Sequence, residues 1–172
     1  SLVAGDLEQA EKLGGLELNY SSDIDLIFLS DDGGHTDGSR PVTNAEFFER
    51  LARQVFQYLN ENTTDGVAYR VDLRLRPSGS QAPSVIGFSA ALSYYDVSGR
   101  TWERQAFVKA RAIAGDLDLG AEFLQLMEPW IYRRYLSSAD IMGIRALKRR
   151  IEQRCLSEGG DQRDVKQGRG GI

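Results

Sequence analysis

From Asp23 to Ser30 the chain reads DIDLIFLS, an apolar run interrupted only by two aspartates at its start. A run of this length between polar, turn-forming neighbours predicts a buried strand. The DDGGHTDGSRPVT that follows is rich in turn residues and predicts a surface loop. Thr43 and Glu46 have the T-x-x-E spacing of a capping box, in which each side chain satisfies a backbone N–H at the first helical turn. The helix it opens carries Phe47, Leu51, Val55 and Leu59 in one stripe, flanked by Phe48, Ala52 and Phe56, and NENTTDG ends it. VAYRVDLRLRP then alternates strictly. Val67, Tyr69, Val71, Leu73 and Leu75 share one face; Ala68, Arg70, Asp72, Arg74 and Arg76 share the other. That period predicts a strand with one apolar and one charged side, closed by Pro77.

The second half reads as helical. SAALSYYDVSG predicts a short helix, Thr101 a cap for a helix over WERQAFVKARAIAG, and LDLGAEFLQLMEPW another helix. Ser137 and Asp140 repeat the capping logic before a long helix lined by Ile144, Leu147, Ile151 and Cys155. At the other end, SLVAGDLEQAEKL is rich in helix formers. Strands come first and helices after, the order of an α+β domain. The expected division is a catalytic domain over residues 1–115 and a helical extension over 116–172, whose ending in DVKQGRGGI reads as a cut within a longer chain.

Composition narrows the function. With 172 residues and 41% apolar side chains, the chain can bury a sizeable core. Its formal net charge of -4, from 21 basic and 25 acidic side chains, argues against broad nucleic-acid affinity. A single cysteine, Cys155, forms no internal disulfide and fits a reducing cytoplasm. A single histidine, His35, excludes a multi-histidine zinc site. No apolar run approaches the roughly 20 residues a transmembrane helix needs, so neither a membrane nor a nucleic acid is an expected partner.

The chemistry lies in the carboxylates. Residues two apart in a strand point the same way, which puts Asp23 and Asp25 side by side, opposite Ile24 and Leu26. Unpaired, two such anions repel and one proton affinity rises sharply. A divalent cation removes the conflict, and Mg2+ or Mn2+ favours carboxylate oxygen. Asp72, on the charged face of the next strand, is placed to be a third ligand. Three carboxylates on neighbouring strands suit metal-assisted phosphoryl or nucleotidyl transfer. Upstream, Gly14 and Gly15 allow close backbone approach to a phosphate, with Ser21 and Ser22 as hydroxyl donors.

These residues carry a resemblance. KLGGLELNYSSDIDLIF is similar to the nucleotidyltransferase motif of the glutamine synthetase adenylyltransferases, bifunctional enzymes that attach and remove AMP. YRVDLRLRPSG, YYDVSGRTWERQAFVKARAIAGD and DVKQGRGGI resemble the same family in the same order. EPWIYRRYLSSADIMGIRALKRRIEQR resembles the helical segment after the amino-terminal, AMP-removing core. The resemblance implies the nucleotidyltransferase fold: a short mixed β-sheet with helices on one face plus a helical extension. It implies Asp23, Asp25 and Asp72 as catalytic metal ligands for Mg2+ or Mn2+, and Gly14, Gly15 and Ser22 as the phosphate-side loop. Glutamine synthetase, a PII-type nitrogen-signal protein, ATP or ADP, and orthophosphate are the implied partners. The implied activity is phosphorolytic removal of AMP from adenylylated glutamine synthetase. Forward transfer from ATP and a non-catalytic binding module are the alternatives. GDLEQAE stands where the family carries a glycine-containing apolar strand.

The basic residues have two readings each. Arg74 and Arg76 either grip phosphate oxygens bidentately or pair with the aspartates. Lys109 and Arg111 are further phosphate candidates, while Glu103 and Arg104 suit a solvated pair. Trp102 reads as core rather than a base-stacking platform, Tyr94, Tyr95, Trp130 and Tyr132 as core or interface, His35 as a solvated loop residue, and Cys155 as packing.

Overall fold

The computed structural model describes residues 2–4, 23–64, 66–67, 70–133, 135 and 137–157. In chain order the elements are β1 (Leu2–Ala4), β2 (Asp23–Ser30), α1 (Asn44–Asn60), β3 (Asn62–Thr63), β4 (Gly66–Val67), β5 (Arg70–Asp72), a 3-10 turn (Gly79–Gln81), β6 (Val85–Gly87), α2 (Phe88–Ser98), α3 (Thr101–Ala106), β7 (Arg111–Ala114), α4 (Leu117–Ile131) and α5 (Ser138–Ser157). The class is α+β, and the sheet is mixed. Its order is β5-β2-β1-β7, with β6 following β5 along the same edge of β2. Both β5 and β6 run parallel to β2, whereas β1 runs antiparallel to β2 and to β7.

The alternation along β2 divides the core. Ile24 and Leu26 pack with Val71 of β5 and with Phe56 and Leu59 of α1. Ile27 and Leu29, on the other face, join Ala91 and Tyr95 of α2 and Phe123, Met127, Trp130 and Ile131 of α4. Helices therefore cover both faces of the central strand, a fuller wrapping than helices on one face alone. Tyr95 sits at the centre of the larger core, with Phe107 and Trp130 rings at 5.0 and 5.2 Å, as the core reading of both residues anticipated. Burying rings of this size supplies much of the hydrophobic stabilisation.

Both capping boxes form. Thr43 Oγ1 accepts from the Glu46 N–H at 3.2 Å while Glu46 Oε2 accepts from the Thr43 N–H at 3.2 Å. Ser137 and Asp140 make the same reciprocal pair at 3.0 and 3.1 Å. At α3 the cap shifts by one residue, since the Arg100 N–H donates to Glu103 Oε2 at 2.7 Å.

Four expectations change. The alternating strand stops at Asp72, because Asp72 Oδ1 accepts from the Arg74 N–H at 2.7 Å and turns the chain two residues on. Leu75 and Arg76, expected on opposite faces, are consequently both buried. The helix expected over 102–115 ends at Ala106; RAIA instead lengthens the sheet as β7, beside β1. Glu103 and Arg104 are buried rather than solvated, with Glu103 accepting from Tyr94 Oη and the Arg104 guanidinium 5.3 Å from the Trp130 ring centre. Leu2–Ala4 is a strand although its composition favours a helix: the exposed edge of β2 gives it ladder partners that local propensity does not register.

The contacts divide the chain into Ser1–Tyr132 and Arg133–Ile172. α4 belongs to the first unit, so that unit runs past residue 115. In the second, Ile144, Leu147 and Ile151 are the half-buried apolar positions of α5; the Cys155 side chain lies outside the described residues. Among the described residues no helix is long and apolar enough to cross a membrane.

Gly99 tests how tightly the larger core is packed. A Cβ there would lie 2.5 Å from Trp130 Cζ2 and 2.5 Å from the Tyr95 carbonyl oxygen. Gly99→Ala is expected to cost about 1–3 kcal/mol in denaturant unfolding, as overpacking does. Gly38→Ala, where a Cβ meets nothing within 4 Å, should leave the midpoint unchanged.

Candidate active site

The parallel register of β2 with β5 pairs Asp23 with Arg70, Ile24 with Val71, and Asp25 with Asp72. Aligned residues on neighbouring strands share a face. Ile24 and Val71 accordingly meet in the α1-side core, and Asp25 and Asp72 stand abreast on the other side, both half-buried. Asp25 heads the row that continues as Ile27 and Leu29. The same alternation thus buries the strand and leaves carboxylates at its opening end, where the apolar cover has not begun.

Arg74 is the immediate counter-ion. Besides the turn made by its backbone N–H, its Nε–H donates to Asp72 Oδ2 at 2.6 Å, and Nη2 pairs with the same oxygen. Burial pushes the Asp72 carboxyl up, but the Arg74 side-chain and backbone hydrogen bonds and the charges of Arg74 and Arg76 outweigh it. The net position is below the usual carboxylate value. Of the two readings of Arg74, the ion pair is present, while its side chain as a whole remains 80% exposed to solvent.

Arg76 does something else. Its guanidinium donates to three carbonyls: Leu73 O through Nη1, Ala82 O through Nη2 at 3.1 Å, and Pro83 O through Nε at 3.0 Å. It is buried, and ties the two ends of the 73–83 loop together. Tyr95 Oη donates to Leu75 O at 3.3 Å from inside the core. Glu49 of α1 completes the frame, accepting from the Ser84 N–H at 2.7 Å, the Ser84 hydroxyl at 3.0 Å and the Val85 N–H at 3.1 Å. The loop that leaves Asp72 is therefore anchored at both ends before β6 returns to the sheet.

Not every candidate joins this cluster. Arg111 aligns through Ala4 with Leu26, on the face opposite Asp25 and two strands away. Lys109 lies in the turn between α3 and β7. Trp102 packs against the larger core, and His35 is an exposed loop residue bridged to Thr43. Tyr132 is exposed and donates to Val108 O. Gly14, Gly15, Ser21 and Ser22 lie outside the described residues, as does the side chain of Asp23. Among the described side chains no group of three potential metal ligands occurs. Asp25 and Asp72 supply hard oxygen donors on one face, a donor set suited to Mg2+ or Mn2+.

Comparison with known proteins bears on this geometry. Residues 10–126 match the family model described as glutamate-ammonia ligase adenylyltransferase. The chain belongs to that family. A relative from Thioalkalivibrio sulfidiphilus is 45% identical over 94% of the chain, one from Hahella chejuensis 46% over 94%, and one from Pseudomonas syringae pv. tomato 47% over 94%. Each is named a bifunctional glutamine synthetase adenylyltransferase/adenylyl-removing enzyme, and the chain spans 16–17% of their lengths. The adenylyltransferase match runs from before β2 into α4, taking in Asp25, Asp72, Arg74 and the whole anchored loop.

Glu49 was not marked by sequence reading. Its i,i+4 spacing to Arg53 was visible and the pair forms at 3.1 Å, but its bonds to Ser84 lie 35 residues away. Burial pushes the Glu49 carboxyl up, yet bonds from Val85, Ser84 and Arg53 hold it below its usual value. A carboxyl held low contributes stability above its unfolded pKa and loses it as pH falls through the folded one. Glu49→Gln is expected to lose about 1–3 kcal/mol at pH 7. The gap to the parent chain should narrow as the pH falls from the usual carboxylate value through the lower one that Glu49 has in the folded chain. Denaturant titrations at pH 7 and at successively lower pH check this.

Proposed function

We propose that this chain carries the catalytic core of an adenylyl-removing activity, in which orthophosphate releases AMP from an adenylylated tyrosine of glutamine synthetase. The observation that supports it most is the register that sets Asp25 beside Asp72 within a segment matching the adenylyltransferase family. An orthophosphate oxygen forms a bond to the adenylyl phosphorus, the bond to the tyrosine oxygen breaks, and ADP leaves. The released phenolate takes up a proton. Asp25 and Asp72, with Asp23 as further ligand, would hold a divalent cation, which would supply charge neutralisation at the transferring phosphorus. The residues of the chain position rather than transfer protons: Asp25 and Asp72 fix the charge, and Arg74 stands against the developing negative charge.

The relatives' shared name includes the forward reaction, and the same carboxylates serve AMP transfer from ATP. Two assays on the longer parent protein separate the directions: phosphate-dependent release of the labelled adenylyl group as ADP from adenylylated glutamine synthetase, and incorporation of label from ATP. Release is expected to dominate. Asp25→Asn and Asp72→Asn should each lower it at least ~100-fold, since each removes charge stabilisation worth several kcal/mol. Thermal unfolding should move little. Undiminished release in both variants would rule the site out.

A further inference from the structure

α1 is apolar on two sides. On the inner side Ala52 is buried, and Phe56 and Leu59 pack against Ile24, Leu26 and Val71. Phe47, Leu51 and Tyr58 stand at i, i+4 and i+11, a second row about a third of a turn round the helix from the first. They are 45%, 43% and 69% exposed. Phe48 is exposed too, its ring edge-on to Phe47 with centroids 5.3 Å apart. A helix lying on a sheet needs one apolar stripe; apolar side chains spread further round belong to a helix covered from more than one side. The four side chains leave roughly 400 Å² of largely apolar surface in water, at about 200 Å² for each when fully exposed. A contiguous patch of that size on a monomer commonly marks an interaction site. The inner side meanwhile holds the sheet: Asn60 Oδ1 accepts from the Val71 N–H at 3.0 Å, next to Asp72, and Glu49 fastens Ser84 and Val85.

We infer that the outer row of α1 is a docking surface for a segment of the parent polypeptide outside these 172 residues, an amphipathic helix laid along Phe47, Leu51 and Tyr58. A straight row about 16 Å long, three helical turns, is the relief that packs into the groove of a second helix. Area selects this occupant over a second copy. The patch supplies about half of the roughly 800 Å² per partner that a stable association between separate molecules buries. A segment of the same polypeptide needs less, because the connection holds it at an effective concentration in the millimolar range. Length points the same way: the chain spans 16–17% of the relatives it matches, so most of each relative lies beyond the matched stretch. One margin of the row is formed by Arg50, Gln54 and Gln57, all exposed and carrying a single charge, so the contact is mainly apolar. The occupant thus bears on the helix that fixes β5 and β6 from its other side, whichever direction the reaction runs.

The test compares hydroxyl-radical oxidation of Phe47, Phe48 and Tyr58, read by mass spectrometry, in this chain and in the longer parent protein. Both contain the same 172 residues, so a difference isolates what the longer protein adds. The three side chains are expected to react at least ~5-fold more slowly in the parent, because a packed interface excludes solvent. Leu51→Asp in the parent should restore the rates of the shorter chain. In the shorter chain the same substitution should barely move the unfolding midpoint, since the side chain is already in water. Equal rates in the two proteins overturn the proposal, as does slowing in the parent that Leu51→Asp leaves in place. Slowing that grows with the concentration of the shorter chain identifies a second copy as the occupant and overturns it in favour of self-association. Slowing in the parent only when glutamine synthetase is added assigns the surface to that protein and likewise overturns it. Each of these failures leaves the proposed reaction standing.

Discussion

Asp25 and Asp72 are held abreast because β2 and β5 run parallel in one register, and the proposed site depends on that alignment. Both are half-buried, and Arg74 relieves Asp72 directly, holding its carboxyl below the usual value. The alignment is built into the sheet: slipping the register by one residue would turn Asp25 away from Asp72 and drive Ile24 and Val71 out of their shared core. Hydrophobic packing on one face thus fixes which carboxylates share the other.

The rest of the first unit keeps β5 in place. A strand of three residues at a sheet edge has little ladder of its own. Its neighbours compensate: Arg76 ties Leu73 to Ala82 and Pro83, Tyr95 reaches Leu75 from the aromatic core, and Glu49 fastens Ser84 and Val85 to α1. Most of these are bonds to backbone groups that would otherwise be unsatisfied on burial, so each is costly to remove. They connect the core around Tyr95, and α4 behind it, to the position of a single carboxylate.

The sequence showed those parts of the fold whose causes are local. The apolar run of β2, the Thr43 and Ser137 capping boxes and the amphipathic face of α1 depend on neighbours within a few residues. Even there the pattern has a limit, since Phe47, Phe48 and Leu51 of the α1 stripe remain exposed. Where long-range partners decide, local reading fails. RAIA becomes β7 because β1 offers an edge, and Leu2–Ala4 becomes a strand because β2 does. The alternation through Arg74 and Arg76 misled because the Asp72 side chain captures the Arg74 N–H and ends the ladder. The aspartates were visible as a chemical anomaly in an apolar strand, and the alignment of Asp25 with Asp72 followed once the strands paired. Glu49 was not visible, since only tertiary structure brings α1 against Ser84.

Crystals of the chain soaked in Mn2+ and measured at a wavelength where manganese scatters anomalously test the central claim most directly. The account predicts an anomalous peak within coordination distance, about 2.0–2.3 Å, of carboxylate oxygens from both Asp25 and Asp72. It also predicts that Arg74 is withdrawn from the Asp72 oxygen it now holds. A peak only at other carboxylates, or none at Asp25 and Asp72 at saturating Mn2+, would contradict it.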